Sequence, residues 1–287
     1  AAYIAGATGS TDFPTTPGAF QIAPPSGTQR SAFVAKLSPD GGRWEYSTLF
    51  GGGDRDEALA LAVSAGEAAI AGYTTSAALP VTAGALQRQR RGPDDAFVAR
   101  LGADGSRLRA ATYLGGAVCS PTVGGVPCEQ ALAIRADGER VWVGGSTLST
   151  DFPLAGKPLR NRFGGGSAFG DGFLSVLDGD LTRLEFSTYL GGGHEDRVTA
   201  IFVDHAGDLY ATGVTGSADF PLAPAPNALP LTGRGSGEAF LTKIDAAAGR
   251  ALYSALLVGP QGETANAIAG DGERTIAVAG QTGSATF

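Results

Sequence analysis

The 287-residue chain carries 45 glycines and 16 prolines, breakers too frequent for long helices, while 43% apolar and 17% charged residues exclude a disordered tail or a charged coiled coil. A formal net charge of -7 opposes attraction to phosphate backbones and anionic surfaces, so nucleic acid is not expected as a partner. No apolar run approaches the ~20 residues of a spanning helix; even the Ala-rich stretch from Ala58 to Ala71 is broken by Ser64, Gly66 and Glu67, and no membrane insertion is expected.

In chain order, the opening "AAYIAGAT" ends in G-x-T at Gly6 and leads into the turn-rich loop "GSTDFPTTPGAF". With no methionine and no basic or apolar leader, this start reads as a processed or excised piece of a longer chain. "AFVAKL" follows from Ala32, with Phe33, Ala35 and Leu37 on one face and Val34 and Lys36 on the other, which is strand periodicity. The turn "SPDGG" then joins it to a second strand, "EYSTLFGG", as a hairpin. A further strand, "ALALAV", precedes the next G-x-T at Gly72.

The same order returns. "AFVARL", "GFLSVL" and "AFLTKI" repeat "AFVAKL", and "AATYLGG", "EFSTYLGG" and "LYSALLVG" repeat its hairpin partner. "ALAIRA", "TAIFVD" and "NAIAG" stand before the later G-x-T motifs. Those motifs start at Gly6, Gly72, Gly145, Gly213 and Gly280, with spacings of 66, 73, 68 and 67 residues. An apolar-proline step keeps the same register at Phe13-Pro14, Leu79-Pro80, Phe152-Pro153 and Phe220-Pro221, and the chain ends on Phe287.

A period of this length signals a propeller or solenoid, and four antiparallel strands per period make a propeller blade. The expected fold is therefore all-β: a β-propeller of four-stranded antiparallel blades, about four blades plus a partial one. Residues 1-287 read as one propeller, partial or part of a larger one, with repeats near 1-66, 67-139, 140-207, 208-273 and 274-287. Starting and ending on the same blade strand implies further blades, from flanking sequence or from another chain.

The combination of "YIAGATGSTDFPTTPGAFQ", "AFVAKLSPDG" and "YSTLFGG" resembles the bacterial seven-bladed β-propeller repeat (SBBP) family across the whole chain. Departures are Leu79 in place of Phe, an insertion in the second period, and "LLVGP" where Gly-Gly is the pattern. The resemblance implies a secreted, cell-surface or envelope protein of a bacterium, from a family mostly without assigned activity.

Few motifs carry chemistry. His194 and His205 form no metal-like pair, and His194 in "GGGHEDR" reads as a surface-loop residue. There is no G-x-S-x-G elbow, and the glycine runs lack the Lys-Ser/Thr ending of a phosphate loop. Arg88, Arg90 and Arg91 are followed at once by Asp94 and Asp95, as in a solvated loop. No catalytic residue is assigned.

Cys119 and Cys128 enclose "SPTVGGVP" in the second-period insertion. A disulfide is expected, given that loop and the secreted family, with two cytosolic thiols as the alternative.

One acidic residue recurs in each full period, four positions before a small residue: Asp56 before Ala60, Glu129 before Ala133, Asp196 before Ala200 and Glu263 before Ala267. In a propeller these would ring one mouth of the channel, capping backbone N-H groups or sharing a cation. Calcium is the cofactor that would suit several oxygen ligands in flexible geometry; otherwise none is expected.

The leading functional expectation is a non-enzymatic extracellular scaffold or binding module for a protein or glycan ligand, within a larger assembly. The alternative is a carbohydrate hydrolase or lyase with an axial-pocket site. Against the enzyme, the acidic positions repeat and no blade stands out.

Overall fold

The computed structural model describes residues 1-119, 126-166, 168-223, 237-273 and 275-285. Among these are seventeen strands and no helix. β1 (Ala2–Thr8), β2 (Ser31–Leu37) and β3 (Trp44–Phe50) form a sheet in the order β1-β2-β3. β4 (Asp56–Ser64), β5 (Glu67–Thr74), β6 (Asp95–Leu101) and β7 (Leu108–Leu114) form a four-stranded meander. β8 (Glu129–Ala136), β9 (Arg140–Thr147), β10 (Asp171–Asp178) and β11 (Leu184–Leu190) repeat it. So do β12 (Asp196–Val203), β13 (Leu209–Thr215), β14 (Glu238–Asp245) and β15 (Arg250–Leu257). β16 (Glu263–Gly270) and β17 (Ile276–Thr282) form a two-stranded sheet.

The fold is all-β, and its unit is the four-stranded antiparallel blade of a β-propeller. In each blade the G-x-T strand is the second, so β1 supplies a second strand to its sheet, as β17 does to the last.

The glycine of G-x-T has a steric cause. Three of the first strands, β4, β12 and β16, carry a bulge, between Ala58 and Ala60, Val198 and Ala200, and Ala265 and Ala267. The bulge pushes a carbonyl of the first strand against the second, and a Cβ at Gly72 or Gly213 would lie 1.8 or 1.9 Å from the oxygen of Glu57 or Arg197. Only glycine fits there.

The chain forms two compact units: Ala1–Ala117 with Glu129–Trp142 and Leu177–Arg183, and Val118–Cys128 with Val143–Val176 and Leu184–Phe287. In the first, Val34, Tyr46, Phe50, Ile70, Phe97 and Tyr113 belong to one buried cluster. All seven residues of β6 are buried, because neighbours cover both faces of this central strand. Its Arg100 is accommodated by an ion pair to Glu67 at 2.9 Å and a hydrogen bond to the carbonyl of Gly179.

The repeated loop between the second and third strands is anchored by its apolar plug. Leu79, Phe152 and Phe220 are buried, and Phe13 is partly buried. Phe13, Phe152 and Phe220 each pack on the phenylalanine of their own third strand, Phe33, Phe173 and Phe240, with ring centroids 4.7, 4.5 and 4.7 Å apart. The backbone N-H groups of Leu79 and Phe152 donate to the hydroxyls of Tyr113 and Tyr189, at 2.9 and 3.0 Å.

Within the second unit, Cys119 and Cys128 form a disulfide, with Cα atoms 5.9 Å apart. Both ends of this bridge are tied to the sequence after β9: Cys119 makes a β-bridge with Ser149, and the carbonyl of Cys128 accepts the N-H of Leu148 at 2.7 Å. Phe287 lies outside the described residues.

Candidate functional site

The four periodic acids are fully or almost fully buried. Each is the first residue of its strand, so the first strands begin four residues before the small residue that the sequence pattern takes as their opening. The bulge hides this start, because it breaks the alternation on which strand recognition depends.

Register explains what the acids do. Asp56, Asp196 and Glu263 stand directly opposite Thr74, Thr215 and Thr282, the threonines of G-x-T. The carboxylate of Asp56 accepts the N-H of Gly52 at 2.9 Å and the hydroxyls of Thr74 and Ser76 at 2.5 and 2.9 Å. Glu263 accepts the N-H of Gly259 at 2.9 Å and the hydroxyls of Thr282 and Ser284 at 2.9 and 2.5 Å. Asp196 takes the N-H of Gly192 and the hydroxyl of Ser217, both at 2.7 Å. Glu129 occupies the corresponding buried position at the start of β8.

The threonine in turn receives the N-H of a serine two residues on. Ser10, Ser76, Ser149, Ser217 and Ser284 donate to Thr8, Thr74, Thr147, Thr215 and Thr282 at 2.9 to 3.1 Å. The repeated motif is therefore G-x-T-x-S, and in the blades of Asp56, Asp196 and Glu263 its hydroxyls clamp the acid. In the last blade, Gly259 of "LLVGP" supplies the same N-H as Gly52 and Gly192, so this departure from Gly-Gly keeps the donor.

Burial pushes the carboxyls of Asp56 and Asp196 upward. For Glu263 burial also acts upward, but hydrogen bonds from Ser284, Gly259 and Thr282 outweigh it and the net direction is down.

A second set of buried acids opens the third strands: Asp95, Asp171 and Glu238, with Ser31 at that place in the first sheet. Asp95 accepts N-H groups from Arg91 and Gly92 and the amide of Gln87. Asp171 accepts the N-H of Gly164 at 2.7 Å, and burial, aided by nearby Asp196, pushes its carboxyl up to about 7. Among the described residues no three His, Cys, Asp or Glu side chains are grouped as metal ligands would be.

One blade does stand out, against the sequence expectation. In the second unit a cavity of about 380 Å³ is lined by Phe169, His194, Glu195, Asp196, Arg197 and Val214, among others. Arg197 is the second residue of β12, directly opposite Val214. Its guanidinium lies 4.8 Å from the Phe169 ring centroid, and its buried Nε has no hydrogen-bond partner among the described residues. Burial lowers the pKa of this cation.

The two acids that share the cavity wall, Glu195 and Asp196, spend oxygens on donors of their own surroundings rather than on Arg197. Glu195 accepts the N-H groups of Ala168, Phe169 and Gly170 at 2.9, 2.6 and 3.1 Å, which also fixes the segment carrying Phe169. Asp196, one residue along the strand, is held in the acid clamp.

In the other blades the position of Arg197 is occupied by Glu57, Gln130 and Thr264. Glu57 shows the opposite sign fully paired, with Arg30 and Arg55 at 2.7 and 2.8 Å. The signal was present in the sequence as a reversal of charge at one register position.

No protein-family model matches the chain, and no curated protein matches it. Among solved structures, the chain is similar to BamB from Moraxella catarrhalis at 15% identity and a TM-score of 0.32, covering 87% of this chain and 68% of that one. At that distance the likeness does not bear on function.

Proposed function

We propose that the chain is a non-enzymatic binding module of an extracytoplasmic bacterial protein, working within a larger assembly. The observation that carries this reading is the contrast within β12. The repeated acid, Asp196, is held through Oδ2 by the blade's own donors, whereas the residue that breaks the repeat, Arg197, is a cation facing the cavity that forms no ion pair among the described residues. Such a group binds; it does not abstract or deliver protons near neutral pH.

The disulfide supports an oxidising compartment, and the resemblance to SBBP repeats supports secretion or display at the cell surface. Loops held by buried plugs on stiff sheets suit recognition of a protein or glycan.

A carbohydrate hydrolase or lyase is the second reading, and the buried pair Asp171 and Asp196, with Asp171 pushed up to about 7, is the observation that favours it. Both residues are 0% exposed, and the Oδ2 of Asp196, although at the cavity wall, is taken by the Gly192 N-H and the Ser217 hydroxyl. A screen for hydrolase and lyase activity on polysaccharides decides the matter. No turnover is expected; turnover abolished by Asp171→Asn or Asp196→Asn would overturn the binding-module reading.

A further inference from the structure

We propose that the Arg197 cavity is a binding site for a carboxylate, the carboxyl terminus of a peptide or a uronic-acid sugar, with the guanidinium fork as its anchor and Phe169 as the platform that holds the fork flat. The assignment takes the binding-module reading as its ground and names the chemistry recognised.

Arg197 is half-buried with its Nε fully enclosed, and a guanidinium partly withdrawn from water gains from hydrogen-bond acceptors and a counter-charge. Phe169 satisfies only the π face of Arg197, leaving the in-plane N-H groups to other partners. Among the described residues no carboxylate forms an ion pair with it. Glu195, the nearest in sequence besides Asp196, is turned onto three backbone N-H groups, and Asp196 is turned into its clamp.

The in-plane donors of arginine match a planar carboxylate in bidentate fashion. A cavity of about 380 Å³ admits a carboxylate together with a sugar ring or a terminal side chain. Val214, Gly216 and Gly237 add apolar and backbone surface and exposed His194 a polar one, while Glu195 and Asp196 at the wall turn oxygens onto the N-H groups and hydroxyl that hold them.

The fixed geometry argues for a built site. Phe169 is held by the Glu195 contacts on its own N-H and on those of both neighbours. Arg197 is held on a strand whose adjacent residue is locked in register opposite Thr215. The stacking pair is therefore fixed from both sides before any ligand arrives.

The test is titration calorimetry on the intact chain with four probes: an N-acetylated tripeptide with a free carboxyl terminus, its carboxamide, methyl glucuronide and methyl glucoside. Saturable binding of at least one carboxylate probe is expected, with its neutral analogue at least tenfold weaker. Preference between the tripeptide and the glucuronide identifies the source of the carboxylate. Arg197→Gln is expected to weaken binding tenfold or more while the melting transition is retained.

Should that variant fail to fold, protection of Arg197 in the wild-type chain from phenylglyoxal, read by peptide mass spectrometry, gives the answer without it. Binding of neither carboxylate, equal binding of the neutral analogues, or no protection of Arg197 overturns the carboxylate site. These failures are distinct from failure of the binding-module reading, which requires catalytic turnover.

Discussion

Asp171 and Asp196 turn carboxylate oxygens onto a single glycine: a Cβ placed on Gly191 would lie 2.9 Å from Oδ1 of Asp171 and 2.6 Å from Oδ2 of Asp196. The two acids come from adjacent blades in sequence, one opening β10 and the other opening β12, within one compact unit.

This pair makes stability depend on pH. Burial and the neighbouring Asp196 raise the carboxyl of Asp171 to about 7 from 3.8, against hydrogen bonds from Gly164 and Gly165 and the charge of Arg160, which act downward. A raised carboxyl holds its proton longer in the folded chain than in the unfolded one. Its contribution is complete below pH ~4 and is lost as pH rises towards 7. Urea unfolding from pH 4 to 8 should show wild type losing ~2 to 4 kcal/mol that Asp171→Asn does not lose. Parallel curves for the two proteins would show that Asp171 titrates normally.

The acid clamp predicts a graded response at Asp56. Asp56→Ala leaves the N-H of Gly52 and two hydroxyls without their acceptor and should cost ~2 to 4 kcal/mol in thermal or denaturant unfolding. Asp56→Asn keeps one oxygen and should cost less. The same melts in calcium and in chelator should coincide; a calcium-dependent rise that vanishes in Asp196→Asn would place a cation among these acids.

The plug residues separate by exposure. Phe152, packed on Phe173 and fully enclosed, should cost ~3 to 5 kcal/mol on truncation to alanine. Phe13 makes the equivalent contact with Phe33 but is only partly buried, and Phe13→Ala should cost roughly half as much. Equal melting of Phe152→Ala and wild type would move these rings from support to ligand contact.

Closing the short loop between Cys119 and Cys128 should contribute ~2 to 3 kcal/mol. Non-reducing mass spectrometry of protein from its native compartment should find the bridge, and melting with and without reductant should measure the contribution. Free thiols in that preparation would count against an oxidising compartment.

The blade was legible because its strands alternate cleanly, as in "AFVAKL", and because G-x-T marks each second strand. The acids at 56, 129, 196 and 263 were legible from their fixed spacing. Their partners were not, since Thr and Ser in "GYTTS" or "GVTGS" read as turn residues until register puts Thr74 opposite Asp56 and Thr215 opposite Asp196. Asp95, Asp171 and Glu238 were hidden for a related reason: an acid just before an apolar strand looks like the end of a loop. Arg197 escaped because a search for repetition rewards positions that agree, and its meaning lies in disagreement with Glu57, Gln130 and Thr264.

The clamp also bears on how such a chain can change. In β4, β12 and β16 the first side chain is pinned by hydrogen bonds, while the residue after it takes no part in that pinning and is Glu, Arg or Thr. Under the binding-module proposal, frame and recognition are written on adjacent letters of the same strand. A single codon would then rewrite the second without disturbing the first, and a propeller of this kind would acquire a new ligand one blade at a time.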